Sequence, residues 1–239
     1  MQRNRSNRET LRAVGSVIGL IVVTWILTNV VGFVVVGALW IADIALTSPP
    51  SYVLQFLTQA VVFIGVAVAY SRYSGVSLNI RRPTIRHLGL IVLGTIALLG
   101  LAQLLGWLFM ELDVPGGTNQ IERIARSNPQ LLLALIPIAF FLIGPSEELL
   151  FRGCVQGRLR ESFGAKAAIA LASLLFGLMH IPAIIATTPA GVGSYILTTF
   201  VLGLLLGSLY EYTETLVVPA FAHGLYNAIL FAALYQTIG

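Results

Sequence analysis

The stretch LLLALIPIAFFLIGPSEELLFRG, Leu131–Gly153, decides the fold. Residues 131–143 are apolar throughout, and the chain is apolar again from Ala167 onward. Between them stand two adjacent glutamates and an arginine. The surrounding composition says which solvent this segment meets. The chain has 239 residues, 57% of them hydrophobic and only 10% charged, with a mean hydropathy of +0.88. Soluble domains carry about 25% charged residues. The sequence is therefore that of an all-α, polytopic membrane bundle. Its net charge of +4 is too small and too scattered for a nucleic-acid partner. Cys154 is the only cysteine, so no intramolecular disulfide can form.

A membrane helix needs roughly 20 mainly apolar residues. Seven segments qualify. The first lies within Val14–Ala42, the second spans about Tyr52–Tyr70 and the third about Leu88–Leu112. The fourth starts at Leu131 and runs through the charged motif. The fifth covers about Ala165–Ile185, the sixth Tyr195–Tyr210 and the seventh Leu216–Tyr235. The first run is long enough to hide a break and supply an eighth segment. Arg3, Arg5, Arg8 and Arg12 flank it as in a signal peptide, but its length and the lack of a small-residue cleavage site predict a retained anchor. Asp113–Gln130 reads as a loop, within which IERIARS forms a short interfacial helix.

Orientation follows from lysine and arginine in the short loops. With the N-terminus inside, the inner segments hold the four N-terminal arginines, Arg72, Arg81, Arg82, Arg86, Arg158, Arg160 and Lys166. The outer segments hold Arg123 and Arg126, a ratio of 11 to 2 when Arg152 is set aside. The sequence thus predicts a multi-pass protein of the cell membrane with a cytoplasmic N-terminus. Trp40 and Trp107 then fall at the outer interface.

Charged side chains in a bilayer cost ~2.5 kcal/mol or more each and mark functional interiors. The candidates are Glu147, Glu148 and Arg152 on the fourth span, His180 on the fifth, and His223 and Asn227 on the seventh. Glu148 and Arg152 are four residues apart and share a face. Glu147 is rotated about 100° from Glu148, so the two carboxylates point differently. Phe176 and His180 form another such pair, as do His223 and Asn227. Glu147 and His180 lie 33 residues apart, with their midpoint in RESFGAK, which reads as a turn. Each sits ~24 Å from that turn at ~1.5 Å per residue, so a helical hairpin brings them level. Glu211 and Glu214 read as solvated loop residues, His87 takes no site role, and GLLLG, Gly203–Gly207, reads as a close helix contact.

Several intramembrane chemistries lack their residues. There is no HExxH metalloprotease pair. Ser146 has no aspartate to complete a triad, and no two aspartates share a span. A carboxylate base, two histidines and an amide remain, a set that can activate water and stabilise an oxyanion. Intramembrane carboxylates also occur in proton-coupled transporters, and the same scaffold suits a non-catalytic binding or immunity protein. The His223–Asn227 pair favours hydrolysis over a relay, because an amide does not carry a proton by ionising.

Three motifs then appear in order. EELLFR (Glu147, Glu148, Arg152) resembles the EExxxR motif of the CPBP, or Abi, family. FGLMH (Phe176–His180) resembles its FxxxH motif, and HGLYN (His223–Asn227) its HxxxN/D motif. The family includes the type II CAAX prenyl endopeptidases and bacterial proteins linked to bacteriocin maturation and self-immunity. The resemblance covers roughly Leu131–Tyr235. It implies a catalytic membrane domain over 131–239, carried by the last four helices, beside N-terminal helices over 1–130. It also implies an intramembrane endopeptidase acting on a membrane-associated or prenylated protein or peptide. In that reading Glu147 is the general base, with His180, while His223 and Asn227 bind the oxyanion. Glu148, Arg152 and Phe176 support them. Members are often labelled metalloproteases, so zinc on Glu147, His180 and His223 is the possible cofactor. A metal-free mechanism uses the same residues, and Asn227 suits an oxyanion better than zinc.

Overall fold

The computed structural model describes residues 2–117, 119–184 and 188–239, with side chains from Arg8 onward. The side chains of Arg3 and Arg5, and Ile185 at the expected end of the fifth span, lie outside the described residues. All regular structure among them is helical. We label α1 (Gln2–Ile41), α2 (Pro49–Ser74), α3 (Ile85–Glu111) and α4 (Gln120–Ser127). The fourth span, Gln130–Arg160, is α5. Then follow α6 (Ala165–Met179), α7 (Pro189–Thr213) and α8 (Val217–Ile238). Seven of these helices, all but α4, are long and apolar enough to cross a membrane. The protein is thus an all-α, multi-pass membrane bundle. α1 runs unbroken from Gln2 to Ile41, so the eighth segment allowed by the sequence does not arise among the described residues.

The helix ends follow from local chemistry. Pro49 begins α2 after an extended Ser48, and Gly75 closes it at φ 76°, a left-handed cap that glycine adopts without strain. Thr84 and His87 form a reciprocal capping box at the start of α3, which explains His87 without a site role. The α5–α6 turn falls at residues 161–164, where RESFGAK placed it, and Gly164 caps α6. Glu211 is not in a loop. It lies on α7, where its carboxylate accepts from Gln156 Nε2 at 3.2 Å and from Arg160 Nε at 3.3 Å. Glu214 closes α7 and pairs with the exposed Arg81 at 3.2 Å.

Apolar side chains cover both inside and outside. Phe33, Trp40, Val61 and Leu93 are more than half exposed, as expected where lipid replaces water. One interior cluster joins Val17, Leu20, Phe63, Phe151 and Phe176 across α1, α2, α5 and α6. A second joins Leu98, Leu202, Leu206, Ala222 and Tyr226 across α3, α7 and α8.

α5 is the irregular helix, and it positions the site. It is π-helical at Ala139–Ile143 and again at Leu149–Gln156, with the α-helical turn Gly144–Glu148 between. Proline has no N–H to give the helix ladder. The wider π turn before Pro145 absorbs that loss without breaking the span. Ser146 Oγ donates to Ile143 O at 3.0 Å and is buried, so it serves the backbone. At the same level α5 and α8 touch backbone to backbone. A Cβ on Gly144 would lie 2.5 Å from Gly224 N, and one on Gly224 would lie 2.7 Å from Phe140 O. Only glycine fits this crossing, because rigid backbone stands on both sides.

Gly224→Ala is therefore expected to push α8 off α5, at a cost of about 1–3 kcal/mol. Thermal unfolding in detergent checks this. A melting temperature equal to wild type would show that the crossing tolerates a methyl group.

Candidate active site

Glu148 and Arg152 form a fully buried pair. Both side chains are 0% exposed, and Arg152 Nε donates to Glu148 Oε2 at 2.8 Å. The guanidinium carbon lies 5.1 Å from the centre of the Phe176 ring, so the ring face supports the cation. Their pairing is the one expected from i,i+4 spacing. The second oxygen of Glu148 reaches further. Oε1 accepts from His223 Nδ1 at 3.0 Å. One carboxylate thus joins α5 to α8, a contact that no sequence spacing announces.

Glu147 faces another way. Its side chain is 10% exposed and opens on the main cavity. Its Oε2 lies 3.9 Å from His223 Nε2, the ring nitrogen that Glu148 does not engage. His223 is thus fixed through Nδ1 and presents Nε2 toward Glu147. A histidine held by a carboxylate through one nitrogen has its orientation set for work at the other.

His180 closes the α-helical part of α6, with Pro182 two residues on. Its Nδ1 lies 2.7 Å from Phe176 O. A carbonyl can only accept, so Nδ1 carries the proton and Nε2 offers a lone pair. Phe176 stands edge-on to both imidazoles, at centroid distances of 4.7 Å from His180 and 5.8 Å from His223. It therefore packs on both histidines and on Arg152. Asn227 lines the cavity from α8, and nothing among the described residues hydrogen-bonds its amide.

The cavity is about 830 Å³, within the range of small-molecule and cofactor sites. Glu147, Phe176, His180, His223 and Asn227 all line it. Glu148 and Arg152 stand behind them. The N-terminal half also lines the cavity, with Asn29, Tyr52, Gln55 and Gln59. Tyr195 on α7 faces His180 at a ring distance of 6.2 Å, and its hydroxyl accepts from Asn119 Nδ2 at 2.8 Å. Sequence reasoning missed these residues. Gln55 and Gln59 carried a signal, two amides four residues apart in an apolar span. Tyr195 carried none.

The zinc set is a separate question of geometry. Among the described residues no three His, Cys, Asp or Glu side chains are grouped to hold a metal ion. Phe176 O and Glu148 each engage Nδ1 and leave Nε2 of His180 and of His223 free, as in a metal-bound histidine, so the test is how the three groups are placed. Glu147, His180 and His223 share the cavity but do not converge as ligands.

Taken together, the molecule is a multi-pass membrane protein with a buried carboxylate–imidazole cluster opening on a cavity between the helices. Residues 129–229 match the family model described as type II CAAX prenyl endopeptidase Rce1-like. The matched stretch begins one residue before α5 and ends within α8, just past Asn227. No curated protein and no solved structure matches the chain.

The geometry separates the neighbouring glutamates in a measurable way. Glu148→Ala leaves Arg152 buried without its anion and is expected to cost about 3–5 kcal/mol. Glu147→Gln keeps shape and removes only the long 3.9 Å contact to His223 Nε2, so its cost is expected to stay below about 1 kcal/mol. Melting temperatures of the two variants in detergent test this. Equal losses would remove the distinction.

Proposed function

We propose that the protein is an intramembrane endopeptidase that hydrolyses a peptide bond in a membrane-associated or prenylated protein or peptide. The observation that carries this reading is the division between the two adjacent glutamates. Glu148 is spent on Arg152 and His223, while Glu147 faces the cavity with only a 3.9 Å contact to His223 among the described residues. The name of the matched family supplies the substrate class.

Glu147 acts as the general base. It takes a proton from a water in the cavity as the water oxygen attacks the scissile carbonyl. The lone pair on His180 Nε2 orients that water. Negative charge then develops on the former carbonyl oxygen. The Asn227 amide donates to it, as does His223 Nε2. Donation from Nε2 requires a doubly protonated ring, because Nδ1–H is already given to Glu148. Glu148 already compensates Arg152, so the Glu147 carboxylate, 3.9 Å from Nε2, balances that charge before attack and the oxyanion balances it afterwards. As the C–N bond breaks, Glu147 returns its proton to the departing amine, leaving one new carboxylic acid and one new amine. Water attacks directly, and no acyl-enzyme forms. We route no step through a metal, a choice supported by the lack of a three-ligand group among the described residues.

In this reading residues 131–239 hold the catalytic groups, and the helices before them complete the cavity. The charge distribution of the loops supports a cytoplasmic N-terminus in the cell membrane.

Purified protein with a farnesylated fluorogenic peptide library tests the assignment. Glu147→Gln and His180→Ala are each expected to lower kcat by 10²-fold or more, on the order of lost general-base catalysis. Turnover within threefold of wild type in either variant would overturn it. Wild-type cleavage is also expected to survive a chelator titration unchanged. A loss restored by zinc alone would replace this mechanism with a metal-dependent one.

A further inference from the structure

α2 turns one face to the cavity. Tyr52, Gln55, Phe56, Gln59 and Phe63 all line it, and their spacing is that of a single helical stripe. Phe63 anchors the stripe in the core with Phe151 and Phe176. Phe176 is the ring that touches both His180 and His223. The stripe therefore starts beside the aromatic cluster that backs the histidines and runs along the wall of the same cavity. Gln59 lies one turn beyond Phe63, about 6 Å on, and Gln55 a further ~6 Å, at ~1.5 Å per residue.

Amides are costly in apolar surroundings unless hydrogen-bonded. Gln55 Nε2 donates to Ser51 O at 3.3 Å, which leaves its carbonyl oxygen open. Gln59 has no hydrogen bond to any described residue. Other parts of the lining are apolar, with Leu202 and Leu206 from α7 and Leu230, Phe231 and Leu234 from α8. The cavity thus has an apolar wall and an amide strip.

The period of the strip fits one ligand class. An extended peptide repeats its main chain every two residues, about 6.6–6.8 Å. Groups that point the same way on residues n and n+2 therefore match two amides ~6 Å apart. A carboxamide carries both donor and acceptor, as a peptide group does. It can pair with main chain whatever the side chains are.

We propose that Gln55 and Gln59 form a two-rung strip that binds the main chain of an extended peptide and leads it to Glu147. The inference rests on the endopeptidase reading for the bond that is cut. Binding to the strip is measured separately.

The experiment uses the full chain in detergent, a farnesylated fluorogenic peptide and the set of its single N-methyl analogues. Gln59→Met is expected to raise KM about fivefold, and the Gln55→Met/Gln59→Met double variant about twentyfold, with kcat nearly unchanged, as for lost uniform binding. In wild type, N-methylation is expected to weaken binding at two positions separated by one residue. The double variant is expected to be indifferent at both. An unchanged KM in the double variant, or a methylation pattern that survives it, overturns the proposal. Wild-type protein that binds the peptide with this pattern but never cleaves it would support the strip and sink the hydrolytic reading. Protein that neither binds nor cleaves overturns both.

Discussion

The buried Glu148–Arg152 pair is the constraint on which the rest depends. An arginine with no solvent exposure is tolerable only with its charge compensated close by. Glu148 supplies that compensation at 2.8 Å, and the Phe176 ring lies over the cation. The same carboxylate fixes His223 from another helix at 3.0 Å. Three elements are thus held by one ionic junction. The junction explains why an apolar chain keeps two charges where hydrocarbon would otherwise fit.

Backbone geometry delivers the junction to the cavity. The two π-helical segments of α5 bracket Gly144–Glu148. Pro145 removes a donor there, and the wider turn accommodates the loss. Gly144 and Gly224 then let α8 approach to backbone contact, which seats His223 between the two glutamates. A bulkier residue at either glycine would separate the imidazole from the carboxylates. Specificity of packing and readiness for chemistry are here the same feature.

Much of this was legible in the sequence. The seven spans follow from apolar run length, and the α5–α6 turn from one charged, glycine-bearing stretch. The Glu148–Arg152 pair follows from i,i+4 spacing, and the different outlook of Glu147 from a rotation of one residue. The Glu148–His223 bond was not legible, because it joins residues 75 apart whose meeting depends on the glycine crossing. Glu211 was misjudged for a related reason. It sits near the end of α7, and Gln156 and Arg160 from α5 meet it there. The N-terminal part of the cavity lining was also missed. The motifs lie in the second half, whereas α1 and α2 close the space from the first.

The central claim is that one of two adjacent glutamates anchors the bundle while the other activates water for direct attack. The most direct measurement is a single turnover in ¹⁸O-enriched water. The account predicts that the new carboxyl group of the product carries one ¹⁸O atom in that first turnover. A first-turnover product free of label, with ¹⁸O found afterwards in the carboxyl group of Glu147, would contradict it.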